Sequence, residues 1–195
     1  MRLESRVPFV AVAFLGSFLL FTLELISAKL LLPYFGGAAY VWTSSMMAFQ
    51  GLLFFGYLYA QRALQGAYGA AHFAVLLLPL ACFPLAVRTA VAGGPLSTLL
   101  WSLISSIGLP FLALSTTSTI MQGWRARRDP GDERGMYALY AASNAGSLAA
   151  LLGYPALIEP GLTVSQQLGA WQLLYLAFAG LHLLCLPRSP AAAGV

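Results

Sequence analysis

An acidic residue lies inside an apolar run that is long enough to cross a bilayer. Glu24 falls within residues 7–32, and Ser27 and Lys29 follow it. A carboxylate in hydrocarbon costs at least about 2.5 kcal/mol, so it normally faces a protein interior, a wet cavity or a partner. Two interpretations stay open. Glu24 is part of a polar site, or it is a helix-packing residue that is protonated or hydrogen-bonded and does no chemistry.

Lys29 does not provide a simple partner for Glu24 on the same helix. A helix turns by about 100° per residue, so side chains five positions apart point about 140° away from each other. We therefore expect Glu24 to face other helices rather than lipid. Lys29 is expected to extend toward the outer membrane interface.

Other polar side chains fall within or at the ends of further apolar runs. Together with the first helix they form a candidate intramembrane polar site: Glu24, Lys29, Gln50, Ser143, Asn144, Ser147 and Glu159. Asn144 either bonds to a neighbouring helix or lines a polar cavity. The hydroxyl run at residues 115–119 can bond to carbonyls of its own helix, so we interpret it as local helix repair rather than a binding site.

Small residues recur every four positions in the fifth apolar run: Ala141, Ala145, Ala149 and Gly153. This spacing places them on one face of a helix. Small side chains let another helix approach closely, so the row predicts a helix-packing face.

The elements that must position these residues are membrane-spanning helices. Hydrophobic residues make up 59% of the 195 residues and charged residues 8%, against about 25% charged in soluble domains. Only helices satisfy their own backbone across lipid within one segment. We predict an all-α, polytopic domain over residues 1–187 and a disordered tail over 188–195. The predicted spans are residues 7–32, 38–64, 70–87 (bent at Pro79 and Pro84), 96–124, 135–158 and 163–186.

Basic residues are divided unequally between the loops. Eight fall on the side of Arg2, Arg62 and Arg125, and two, Lys29 and Arg88, on the other. The positive-inside rule then places both termini in the cytoplasm of a bacterial inner membrane protein. Acidic neighbours offset most of the charge at residues 125–134, so we interpret that loop as a topology signal and predict no nucleic-acid binding. The first run is too long for the core of a signal peptide, and we expect it to be retained.

Residues that could support catalysis or metal binding are sparse. His72 and His182 could form a bis-His metal or haem site, but two histidines are weak evidence, and interfacial hydrogen bonding is the favoured interpretation. Cys82 and Cys185 are interpreted as apolar fillers. No nucleophile with its base and no paired carboxylates can be nominated. We predict a non-enzyme with no cofactor and no metal.

Several short motifs occur together along the chain. They are residues 139–147 (LYAASNAGS), the YP and EP pairs at 154–155 and 159–160, residues 24–36 (ELISAKLLLPYFG), residues 40–43 (YVWT) and residues 115–118 (STTS). Their combination resembles the membrane region of fused transporter/spermidine synthase-like proteins. The resemblance covers about residues 9–186. In that family the membrane region is joined to a cytoplasmic domain similar to polyamine aminopropyltransferases, with a Rossmann-like fold that uses decarboxylated S-adenosylmethionine.

The chain departs from that pattern in one place. Nine residues follow Leu186, and no Gly-rich strand-to-helix turn with a following acidic residue occurs. The resemblance therefore implies a membrane region without its enzyme.

Two functions remain as hypotheses. The first is a non-catalytic subunit or scaffold of a larger membrane assembly, docked through the small-residue row. The second is a transporter-like bundle in which Glu24, Gln50 and Asn144 line a cavity for a small polar or cationic substrate. Such a bundle would be paired with itself or with a separate aminopropyltransferase-like protein. Few cavity charges and no retained enzyme favour the subunit slightly.

Overall fold

The computed structural model describes residues 7–66, 69–86, 88 and 93–187. Within these ranges the protein is all-α, with no strand. The predicted tail at 188–195 lies outside the described residues, as do Arg2, Arg6 and Arg188, which contributed to the charge count.

Six helical segments follow one another along the described chain. They are α1 (Val7–Phe35); α2 (Ala39–Gln65); α3 (Gly69–Leu77) with a 3₁₀ turn (Leu78–Cys82); α4 (Pro95–Leu103), a π turn (Ile104–Gly108), α5 (Leu109–Ser115) and α6 (Thr117–Arg128); α7 (Glu133–Gly153), a π turn (Tyr154–Ile158) and α8 (Glu159–Gly161); and α9 (Val164–Cys185).

Local sequence explains several of the helix ends. Gly36 has φ of 71°, a conformation that glycine adopts without steric cost, and it reverses the chain between α1 and α2. Asp132 caps α7 by accepting a hydrogen bond from the Gly135 amide at 3.0 Å. Thr163 and Gln166 form a capping box at the start of α9, which satisfies two of the free amides there.

The third segment is shorter than predicted. Helical structure ends at Cys82 rather than continuing to residue 87, because Pro84 lacks the amide that a helix requires. The backbone amide of Leu85 donates to Gln172 Oε1 at 3.2 Å, and that of Arg88 donates to Ser106 Oγ at 2.8 Å. Side chains thus accept the hydrogen bonds from these two amides, which lie outside the helix.

Helix α1 lies at the centre of the fold. It packs along α7 and α9 and also contacts α5 and α6. The indole of Trp171 in α9 donates to the Leu19 carbonyl at 2.8 Å. Helix α2 packs mainly on α4, α5 and α6. The end of the bundle where α1 meets Gly36 is called the Gly36 end. The opposite end, where α6 carries Arg125, is called the Arg125 end.

In the described ranges, four helices are long and apolar enough, by length and composition, to cross a membrane: Val7–Phe35, Pro95–Arg128, Glu133–Gly161 and Val164–Cys185. Helix α2 is 27 residues long, but hydroxyl and amide side chains such as Ser45 and Gln50 dilute its apolar character. The helical part of the third segment is too short to be counted among the four.

Candidate functional site

A polar cleft of about 440 Å³ opens among α1, α2, α5, α6 and α7. Five of the seven residues of the predicted polar site line it: Glu24, Gln50, Ser143, Asn144 and Ser147. Gln50 and Asn144 are exposed, so the cleft is open to the surface where α2 and α7 lie. Helices far apart in sequence thus bring the predicted residues into one cavity.

Hydroxyl groups join α1 to α7 in the wall of the cleft. Ser17 and Ser143 share a hydrogen bond of 2.7 Å between their hydroxyl oxygens. Ser147, one helical turn along α7, donates to the Ser143 carbonyl at 3.1 Å. The bond between Ser17 and Ser143 joins the two helices beside the cavity, whereas the Ser147 bond lies within α7.

Part of the hydroxyl run at residues 115–119 forms the wall of the cleft that belongs to α5 and α6. Ser115 donates to the Leu112 carbonyl at 2.7 Å, which is the local helix repair predicted from the sequence. Ser115, Thr117 and Ser118 also line the cleft, a role that the sequence analysis did not assign. These three residues flank the break between α5 and α6 at Thr116, and a polar run at a helix break is the signal that could have indicated this role.

The Glu24 carboxylate has no partner among the described residues. Its side chain is half-buried, and within the described part of the chain Glu24 accepts a hydrogen bond only through its backbone carbonyl, from Ser27 Oγ at 2.7 Å. The side chain lines the cleft beside Phe21 and Phe49. A carboxylate in such surroundings needs a proton or a cation to offset its desolvation.

Lys29 and Glu159 lie outside the cleft, in contrast to the prediction. They form an ion pair at the Gly36 end, with Lys29 Nζ and Glu159 Oε1 2.9 Å apart. Both side chains are partly exposed, so the pair contributes little to stability. Because the rotation along α1 turns Lys29 away from Glu24, the lysine meets the acid that begins α8 instead.

An apolar groove of about 310 Å³ lies between α1 and α2, toward the Gly36 end. Its wall includes Leu25, Val41 and Trp42, and Glu24 lines it as well. The groove and the polar cleft therefore meet at the same carboxylate. No pattern in the sequence predicted this groove.

The row predicted as a helix-packing face does not carry the contact between α7 and α1. Ala141 and Ala145 are exposed, and Ala149 and Gly153 are half-buried. The contact falls on a neighbouring face, where Gly146 and Ala150 are buried. A Cβ atom at Gly146 would overlap the backbone carbonyl of Phe14. Small residues occur on several faces of α7, so the four-residue spacing did not identify the face that packs.

His72 and His182 are buried within the protein, with ring centroids 5.5 Å apart. His72 Nδ1 lies 3.4 Å from the Tyr59 hydroxyl. The other ring nitrogen of His72 and both of His182 have no hydrogen-bond partner among the described residues. Within the described ranges, no three His, Cys, Asp or Glu side chains gather as a metal site. The favoured interpretation of interfacial hydrogen bonding therefore does not describe His182.

A buried ion-pair cluster at the Arg125 end was not identified from the sequence. Arg125 is 1% exposed. Its Nη2 donates to Asp129 Oδ2 at 3.0 Å and also to Asp132. The sequence does contain a signal for this cluster. Asp129 and Asp132 follow Arg125 by four and seven positions, which places three charges near one helix end.

No family model, curated protein or solved structure matches the chain. The resemblance to the membrane region of spermidine synthase-like proteins stays a prediction. The geometry by itself offers binding chemistry: one carboxylate, several hydroxyls and amides, and an adjoining apolar surface.

Proposed function

We propose that the chain is a multi-pass bacterial inner membrane protein, a bundle of six transmembrane helices with both termini in the cytoplasm. We further propose that it binds a small polar or cationic solute in the polar cleft. The observation that carries the binding proposal is the convergence of Glu24, Gln50 and Asn144 from three helices on one cavity. This convergence is the reason to place solute binding ahead of the subunit hypothesis.

The distribution of charge supports the topology. Arg62, Arg127 and Arg134 lie in the terminal turns of their helices, on the predicted cytoplasmic side. Arg127 Nη1 lies 3.4 Å from the Gly66 carbonyl at the end of α2, so the ends of α2 and α6 meet at the Arg125 end. Basic loops stay in the cytoplasm, which favours the Arg125 end as the cytoplasmic end.

Thiol labelling tests this topology. In a background with Cys82→Ala and Cys185→Ala, single cysteines at Glu133 and Gly94 report the two ends. Both native residues are exposed. We expect a membrane-impermeant reagent to label the cysteine at 94 in intact cells and the cysteine at 133 only after permeabilisation. The reverse labelling would overturn the assigned sides.

Ligand-induced stabilisation tests the binding function. A ligand that binds only the folded protein stabilises it by about 2.7 kcal/mol at a hundred times its Kd. We expect small ammonium compounds to raise the thermal midpoint of the detergent-purified protein. Glu24→Gln and Asn144→Leu should reduce this shift, whereas Ser165→Ala, an exposed position outside the cleft, should not. A panel of amines that leaves the midpoint unchanged would contradict solute binding.

A second candidate function is a non-catalytic subunit of a membrane assembly. The exposure of Ala141 and Ala145 on α7 favours it, because a small-residue face can accept a helix from a second copy or from another subunit. On the family resemblance, a separate aminopropyltransferase-like protein is the cytoplasmic partner to test. Identification of the chains that co-purify in mild detergent distinguishes these cases.

A further inference from the structure

The polar cleft and the apolar groove share part of their walls. Phe21, Glu24, Met46 and Phe49 line both cavities. Toward the Arg125 end the shared wall continues into hydroxyl and amide groups, and toward the Gly36 end it continues into Leu25, Val41 and Trp42. Glu24 therefore lies at the boundary between a polar and an apolar cavity.

The charge of Glu24 has no opposite charge beside it at this boundary. Among the described residues that line the two cavities, Glu24 is the only charged side chain. Lys29, the nearest cation along α1, is paired with Glu159. The described residues thus supply no cation to Glu24, and a bound ligand or a proton must offset its charge.

We propose that the solute is an amphiphilic organic monocation: one ammonium group joined to an apolar body. The ammonium binds the Glu24 carboxylate next to the hydroxyls of the cleft, and the apolar body fills the groove. This inference rests on the proposed binding function and adds the substrate class to it.

Size and charge both favour this class. The groove, at about 310 Å³, is at the lower end of small-molecule pockets, which begin at about 300 Å³. The rings of Phe21, Trp42 and Phe49 line the groove and provide apolar area for the body of the ligand. A second ammonium would lie unpaired in the apolar groove, so diamines should be disfavoured.

Three matched compounds test the inference on the purified full chain. They are 4-phenylbutylamine, 1,4-diaminobutane, in which a second ammonium replaces the ring, and 4-phenylbutanol, in which a hydroxyl replaces the ammonium. We expect 4-phenylbutylamine to bind more than about tenfold tighter than either of the others, a difference of about 1.4 kcal/mol or more. The measurement is the shift in thermal midpoint, with isothermal titration for the compounds that bind.

The outcomes separate this inference from the proposed function. If 1,4-diaminobutane binds equally well or better, the amphiphilic class is wrong and solute binding stands. If 4-phenylbutanol binds equally well, recognition by the Glu24 charge is wrong. If none of the three compounds and no smaller amine binds, both proposals fail.

Variants locate the two halves of the ligand. Ala28→Phe adds a ring to the groove without touching the cleft, so the ratio of 4-phenylbutylamine affinity to methylamine affinity should fall by about tenfold or more. Trp42→Ala changes an exposed side chain, so it keeps the test open if Ala28→Phe does not fold. Glu24→Gln should reduce the affinity for 4-phenylbutylamine to that for 4-phenylbutanol. An unchanged ratio in both groove variants would overturn the placement of the apolar body.

Discussion

Gly146 of α7 lies directly against the backbone carbonyl of Phe14 in α1, with no room for a Cβ atom between them. The approach brings the two helix backbones together one turn from the hydrogen bond between Ser17 and Ser143. Small residues permit such contacts between helices in membranes. The position of α7, and with it one wall of the polar cleft, depends on this glycine.

Gly146→Ala should therefore destabilise the protein. The added methyl group meets backbone, which cannot rotate away, and overpacking of this kind costs about 1–3 kcal/mol. Gly153→Ala is the matched control, because nothing lies within 4 Å of a Cβ there and alanine favours helix by up to about 1 kcal/mol over glycine. Thermal unfolding in detergent should give a lower midpoint for the first variant and not for the second. Equal midpoints would show that α1 and α7 can separate without cost.

The sequence predicted much of the polar cleft because depth in a helix can be read from the chain. Glu24, Gln50 and Asn144 each fall well inside their apolar runs, and interior polar groups in a bundle converge. Lys29 and Glu159 fall at the ends of their apolar runs, and they pair with each other at the Gly36 end, outside the cleft. Periodicity gives the face and the depth of a residue on its own helix, and it does not give the neighbouring helix.

The packing face of α7 also could not be predicted from spacing along the helix alone. Alanines occupy positions 141, 142, 145, 149 and 150, so small residues lie on several faces of the helix. Each residue turns the helix by about 100°, and a choice that is wrong by one position selects a different face. Only tertiary contacts distinguish the buried Gly146 from the exposed Ala145.

The exposed row supports a prediction about assembly. Ala145→Leu adds bulk to a surface that is exposed in the single chain. It should therefore leave the free energy of unfolding of the isolated protein unchanged within about 0.5 kcal/mol, with no clear shift in thermal midpoint. If a second copy or another subunit docks there, the substitution should reduce co-purification or the dimer fraction in mild detergent. Ala150→Leu is the comparison, because Ala150 is fully buried and added volume should destabilise the chain itself. Unchanged assembly in Ala145→Leu would exclude this row as a docking face.

The buried histidine pair supports a prediction about stability. Both ring nitrogens of His182 lack hydrogen-bond partners within the part of the chain that the structure describes, and each unsatisfied buried polar group costs about 1–3 kcal/mol. His182→Leu removes both groups at similar volume, so the thermal midpoint should stay equal or rise. Phe178→Leu, at a neighbouring buried ring 5.5 Å away, removes only packing and should lower it. A large loss in His182→Leu would show that the imidazole has a bonding partner in the native protein.

The cluster around Arg125 makes the strongest prediction about stability at the Arg125 end. Asp132 accepts hydrogen bonds from the Arg125 side chain and from the Gly135 amide in the first turn of α7. One carboxylate therefore joins the end of α6 to the start of α7. Arg125→Met leaves Asp129 and Asp132 without their buried cation, and breaking a buried pair from one side costs about 3–5 kcal/mol.

Arg128→Met is the matched control for the same charge change. Arg128 is exposed and lies over the Phe9 ring, with Cζ 5.7 Å from its centroid, where a cation–π contact at an exposed site contributes about 0.5–1 kcal/mol. We expect the thermal midpoint to fall several times further in Arg125→Met than in Arg128→Met. The difference should persist at high salt, because a buried pair is screened much less than exposed charges. Equal losses in the two variants, or a loss in Arg125→Met that disappears with salt, would show that the cluster acts only as a set of surface charges.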